Sequence, residues 1–166
     1  MSSTPRLTLH ARSLDATHAV AAALARLSRA GDIILLAGEM GAGKTAFAQG
    51  FGRALGVTEP ITSPTFTLVH SYDTDGPTLH HADLYRLDQL AEVADLALGE
   101  LAEFDGIVLV EWGDVVEFTF GEHLVVRLDL VDSDVDSRRI TISPTGPSWA
   151  KRWSALCDAT SHLERA

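Results

Sequence analysis

Cysteine is almost absent from this chain. Cys157 is the only one, so no internal disulfide can close, and the thiol content suits a reducing compartment. A buried or incidental thiol is the expected reading of Cys157, not a nucleophile. Long apolar runs are missing too. Stretches such as AVAAALA at 19–25 and IVLV at 107–110 fall far short of the roughly 20 residues that span a bilayer. The opening residues, MSSTPR, lack the apolar stretch of a signal peptide. A cytoplasmic protein with no membrane segment is expected. Basic residues are outnumbered, 13 against 23 acidic ones, for a net charge of −10. Phosphate contacts dominate unaided nucleic-acid binding and call for a basic face, which this composition does not supply. Any nucleic-acid role is therefore indirect.

The imbalance is uneven. Residues 1–83 carry 6 basic and 7 acidic residues, whereas residues 84–166 carry 7 and 16. The near-neutral first half is the better place for an anionic ligand. Length and composition fit one domain: 166 residues, 46% apolar and 22% charged, enough to bury roughly 70% of the unfolded surface. We read 1–166 as a single domain with flexible ends at 1–5 and 162–166.

No internal repeat, low-complexity tract or linker interrupts the pattern. Residues 6–11 alternate like a strand. Ser13 or Asp15 caps a helix running to about Ser28, with Gly31 beyond it. Residues 32–37 (DIILLA) form a continuous apolar run, as a central strand covered on both faces requires. A glycine-rich loop at 38–43 leads into a helix over about 44–55 that stops at Gly56. Residues 67–71 and 78–83 flank a turn at 73–77 and predict a hairpin. A helix is predicted over 89–98 with Leu90, Val93, Ala94 and Ala97 on one face. Residues 106–111 (GIVLVE) read as a second buried strand ending in an acid. Residues 123–130 and 138–143 alternate about an acidic turn containing Asp132, Asp134 and Asp136, and 149–163 predicts a closing helix.

The pattern predicts an α/β fold, a P-loop NTPase-like three-layer sandwich with a mixed, mainly parallel central sheet. The chemistry sits in residues 38–45, GEMGAGKT, which match G-x-x-x-x-G-K-[ST]. Glycines let backbone N–H groups converge on phosphate oxygens without side chains in the way. The helix that follows aims its free N–H groups and positive dipole end at the anion. Lys44 is one of only two lysines in the chain and is placed to reach the β- and γ-phosphates, while the Thr45 hydroxyl completes a Mg²⁺ shell.

Such a site needs a further acid to place Mg²⁺ or the attacking water. Glu111 ends IVLV where such an acid emerges from a sheet; the competing candidate is Asp83, at the end of TLHHAD. His81 lies two residues before Asp83 and faces the same side of a strand, though a structural role is the ordinary expectation for a lone histidine. Thr65, in SPTFT, either senses the γ-phosphate or Mg²⁺ or simply belongs to a proline-initiated turn. Arg86 pairs with an acid or a phosphate, and Arg138 and Arg139 are weaker candidates for approaching the nucleotide. Trp112 reads as packing and as a potential optical reporter.

The guanine-reading N-K-x-D pattern needs a lysine after the loop, and the only one is Lys151, in AKRW. That disfavours a GTPase and leaves ATP as the default. Arginines are sparse between 54 and 126, with Arg86 alone, which leaves no rich pocket for an acidic acceptor. A small-molecule kinase and a non-catalytic, nucleotide-dependent interaction module remain the competing classes.

Four blocks, GEMGAGKT at 38–45, SPTFTLV at 63–69, HADLYRL at 81–87 and VEW at 110–112, together resemble the TsaE (YjeE) family. That is the small ATPase of bacterial threonylcarbamoyladenosine modification of tRNA. With flanking helices the likeness covers roughly residues 6–143. It implies ATP and Mg²⁺ as ligands, the proteins TsaD and TsaB as partners, and tRNA contact only through that complex. TsaE would bind TsaD, hydrolyse ATP and so reset the complex, being weak alone. Carried over by position, Met40, Gly41, Ala42, Gly43, Lys44 and Thr45 bind ATP. Thr45 and Glu111 hold Mg²⁺, Asp83 assists hydrolysis, and Thr65 belongs to a switch-like segment. Gly113 stands where proline commonly follows V-E-W, and Glu39-Met40 replaces the commoner Asp-Leu; both concern local loop shape.

Overall fold

A computed structural model describes residues 4–64, 69–84, 97–112 and 120–166. Its frame is one eight-stranded sheet with spatial order β3-β4-β5-β2-β6-β7-β1-β8. The strands are β1 Leu7–Ala11, β2 Ile33–Ala37, β3 Val69–Tyr72, β4 Thr78–Asp83, β5 Gly106–Glu111, β6 His123–Val131, β7 Asp134–Thr145 and β8 Glu164–Arg165. The four central strands, β4, β5, β2 and β6, run parallel. Antiparallel pairings flank them on both sides, β3 on β4 and the β6-β7-β1-β8 run.

The alternation of side chains explains the layers. On β2, Ile34 and Leu36 join one apolar cluster with Val20 and Leu24 of helix α1 (Leu14–Leu27) and Phe47 and Phe51 of α2 (Lys44–Ala54). Ile33 and Leu35 point the other way, into a second cluster with Leu98 and Ala102 of α3 (Leu98–Glu103). β5 divides likewise, Ile107 and Leu109 against Val108 and Val110. A strand apolar at every position is what a sheet covered on both faces demands. The result is helix, sheet, helix in three layers. α1 and α2 pack so closely that a Cβ on Gly50 would lie 2.9 Å from the His18 Cα.

Of the two caps the sequence offered for α1, the structure uses Ser13, whose hydroxyl accepts from the Ala16 N–H at 3.1 Å, an N-cap contribution of about 1 kcal/mol. The predicted hairpin forms as β3 and β4, although residues 67 and 68 lie outside the described residues. Three elements differ from expectation. Of the helix predicted over 89–98, residues 89–96 lie outside the described residues, and Leu98 opens α3 instead of closing a helix. Leu98 and Ala102, four residues apart, both bury there, which outweighs the cost of Gly99. The acidic turn is tighter than its composition suggests, because Val131 pairs with Asp134 across only Asp132 and Ser133. The Asp134 carboxylate accepts from the Asp136 N–H and the Ser137 hydroxyl, which keeps the start of β7 ordered.

The closing helix is the third difference. It spans only Trp153–Ala159 (α4). Before it, the Arg152 guanidinium is drawn back to Asp32 at the base of β2, at 2.7 and 3.0 Å, and to the carbonyls of Leu27 and Ser148. After it, the Thr160 hydroxyl bonds the Leu156 carbonyl. The chain then returns as β8, pairing with Leu9 and His10, and Glu164 receives the Arg12 guanidinium.

Candidate functional site

β2 ends at Ala37, and the chain turns through Gly38, Gly41 and Gly43 at φ of +141°, +83° and +104°. Such angles suit glycine. At Gly38 space is equally decisive, since a Cβ there would collide with the Leu128 carbonyl of β6. Gly43 is the left-handed N-cap of α2 and offers no side chain. The first-turn N–H groups of α2, which helix geometry leaves without intrahelical acceptors, therefore face the loop unobstructed.

Arg138 of β7 braces this loop from outside. Its Nε donates to the Ala42 carbonyl at 2.8 Å, its Nη2 to the Gly41 carbonyl at 3.4 Å, and its Nη1 to the Val135 and Ser137 carbonyls. Drawing the two loop carbonyls toward β7 turns the neighbouring N–H groups toward the interior of the loop. Arg139, the next residue along an alternating strand, is exposed on the opposite face.

Lys44 is only 5% exposed. Its Nζ donates to the Gly38 and Glu39 carbonyls at 2.6 and 2.9 Å and lies 3.8 Å from the ring centroid of Trp112. Trp112 follows β5 with φ +64° and ties the end of that strand to β2 by donating to the Leu36 carbonyl. The left-handed turn sets its indole beside the lysine. The next residue of α2, Thr45, donates its hydroxyl to the Glu111 carboxylate, with both oxygens at 3.1 Å.

Parallel register brings the acids together. Asp83 of β4 sits directly beside Glu111 of β5, and Leu79, His81 and Asp83 share the face that β5 presents with Ile107, Leu109 and Glu111. His81 is fully buried and its Nε2 is 2.6 Å from Glu111 Oε2. Ser63 donates to Asp83 Oδ2 at 2.8 Å. Met40, Lys44, Thr45, Asp83, Glu111 and Trp112 line one cleft of about 430 Å³, within the range of small-molecule sites. It lies at the carboxyl ends of the parallel strands, the usual ligand position in such sheets.

The donor set suits a nucleotide with a hard cation. Loop N–H groups and an ammonium face anions, and a hydroxyl beside a carboxylate offers oxygen ligands of the kind Mg²⁺ takes along with waters and phosphate oxygens. Among the described residues, no three His, Cys, Asp or Glu side chains form a cage that could hold a metal by itself.

Of the residues singled out from the sequence, Met40, Gly41, Ala42, Gly43, Lys44, Thr45, Asp83 and Glu111 converge here, and the two acids stand side by side, not as alternatives. Thr65 and Arg86 lie outside the described residues. Three further residues belong to the site more firmly than their sequence context suggested: His81 on Glu111, Ser63 on Asp83, and Arg138 on the loop. The H-x-D alternation placed His81 on the face of Asp83; the missing datum was the neighbouring strand.

The mixed sheet and its glycine-cornered loop entering α2 define an α/β protein with a P-loop NTPase-like core. The chain belongs, more particularly, to the TsaE family: the model for "threonylcarbamoyl adenosine biosynthesis protein TsaE" matches residues 11–140. It is 43% identical over 133 residues to the tRNA threonylcarbamoyladenosine biosynthesis protein TsaE of Streptomyces coelicolor, covering 76% of this chain and 89% of that one. Identity to the protein of the same name from Bacillus subtilis is 36% over 149 residues, 89% of each chain. The crystal structure of Bacillus subtilis YdiB matches with a TM-score of 0.77 at 30% identity, over 98% of each chain.

Proposed function

We propose that this chain binds ATP with Mg²⁺ in the cleft, hydrolyses it, and through a complex with TsaD and TsaB supports threonylcarbamoyladenosine modification of tRNA next to the anticodon. The observation that carries the proposal is the Thr45 hydroxyl resting on Glu111, beside Lys44 at the N-terminus of α2. Backbone N–H groups of residues 40–45 hold the phosphates, and Lys44 exchanges its carbonyl partners for phosphate oxygens. Thr45 and Glu111 would hold Mg²⁺, which when bound offsets phosphate charge. Asp83, oriented by Ser63, is placed to accept a proton from water as ATP and water become ADP and inorganic phosphate. Thr65 belongs to this proposal through the family's S-P-T-F block.

The surplus of 16 acids over 7 basic residues in the second half fits a protein that leaves tRNA to its partners. Among the described residues no helix is long and apolar enough to cross a membrane. The single cysteine and the tRNA-modification family support a place in the cytoplasm. The test is ATP turnover by the purified chain alone and with TsaB plus TsaD of the same source. The expected result is weak turnover alone and strong stimulation by the pair. ATP binding without stimulation would replace the partner-dependent ATPase with a nucleotide-dependent interaction module.

A further inference from the structure

We infer that His81 is a positioning residue for Glu111, and that its imidazole sets how tightly the cleft holds its divalent cation; the inference rests on the nucleotide-binding reading above. The side chains of His81 and Glu111 are 0% and 4% exposed. Their contact at 2.6 Å is shorter than either distance from the Thr45 hydroxyl to the carboxylate, both 3.1 Å. A hydroxyl that lies equally far from both oxygens does not choose the carboxylate's rotation. The imidazole does, because it engages Oε2 alone. An ionised carboxylate only accepts, so His81 Nε2 donates in this contact.

Nδ1 is buried and has no hydrogen-bond partner among the described residues. The buried contact from Nε2 to Glu111 is the arrangement of an outer partner that orients a ligating carboxylate. Removing such partners typically lowers metal affinity about 10- to 100-fold. When Thr45 turns to a cation, the His81 contact is the one that still fixes the Glu111 carboxylate.

Glutamine at position 81 can set an amide N–H near the place of Nε2, whereas asparagine carries its amide near Nδ1 and falls short. The test compares His81→Gln, His81→Asn and His81→Leu in the full chain. Calorimetric titration with ADP over a series of Mg²⁺ concentrations gives the Mg²⁺ needed for half-maximal tightening, and thermal melts follow the fold. His81→Asn and His81→Leu are expected to need about 10-fold more Mg²⁺ or higher, with ADP affinity in the absence of Mg²⁺ unchanged. His81→Gln is expected to stay near the parent. Should His81→Leu fail to fold, the comparison of Gln with Asn decides. Equal Mg²⁺ requirements in Gln, Asn and parent overturn the inference, as does a loss of Mg²⁺-free ADP affinity equal to the loss with Mg²⁺. A parent chain that binds no ADP at any Mg²⁺ concentration would refute the nucleotide-binding reading itself.

Discussion

Lys44→Met isolates the charge of the loop lysine. Methionine keeps an unbranched apolar stem beside Trp112 and removes the ammonium. In the free protein Nζ bonds the Gly38 and Glu39 carbonyls at 2.6 and 2.9 Å. The Gly38 carbonyl is buried and loses its donor, so stability should fall by about 1–3 kcal/mol. For a chain of this size that corresponds to roughly 2–12 °C in Tm. Binding is affected as well. The ammonium must leave two neutral carbonyls, but it gains charge-assisted contacts to phosphate, a net difference of about 1.5–3 kcal/mol. That converts to about a 10- to 150-fold loss of ATP affinity. Isothermal titration of parent and variant with ATP and Mg²⁺, alongside thermal melts, measures both quantities. An affinity within about 2-fold of the parent in a folded variant would refute the assignment of Lys44 to phosphate. A large Tm loss with unchanged affinity would make the lysine a structural brace of the loop.

Asp83→Asn keeps the shape beside Ser63 and removes the proton acceptor, so turnover should fall about 10²- to 10⁴-fold while ATP affinity holds; equal single-turnover rates would take Asp83 out of the chemistry. Arg152→Ala removes the charge partner of the Asp32 carboxylate, whose side chain is 7% exposed and which keeps only the Arg29 N–H among the described donors, at a cost of about 3–5 kcal/mol, or roughly 6–20 °C in Tm. An unchanged melt would show that the closing segment is not pinned there. Burial holds the His80 imidazole below its ordinary value. The unfolded chain therefore takes up a proton at that position before the folded chain does. Its contribution to stability is complete above about pH 6.5 and is lost as pH falls below that value. Denaturant midpoints at pH 7.5 and 5.5 should differ less in His80→Gln than in the parent; equal differences would refute the sign.

Much of the site is legible from short stretches of chain. The glycines of the loop, Lys44 and Thr45 occupy consecutive positions, and an apolar run before them with a helical pattern after them is local information. The same holds for the Ser13 cap and for both ends of β5, because an apolar run bounded by Gly106 and Glu111 marks its own limits. Tertiary structure decided which distant residues meet. The residues alone left Asp83 and Glu111 competing for one role and the resemblance gave each its own; the parallel register of β4 and β5 sets them side by side, and the same register lays His81 on Glu111. Arg138, read only as a weak candidate for the nucleotide, became the brace of the loop because β7 folds back along β6. The closing helix was shortened by an ion pair to Asp32 and by a strand pairing with β1, both made to residues more than a hundred positions away. Local pattern chooses strand or helix within a few residues; register and strand order are set by burying the whole sheet at once, and no single segment carries that information.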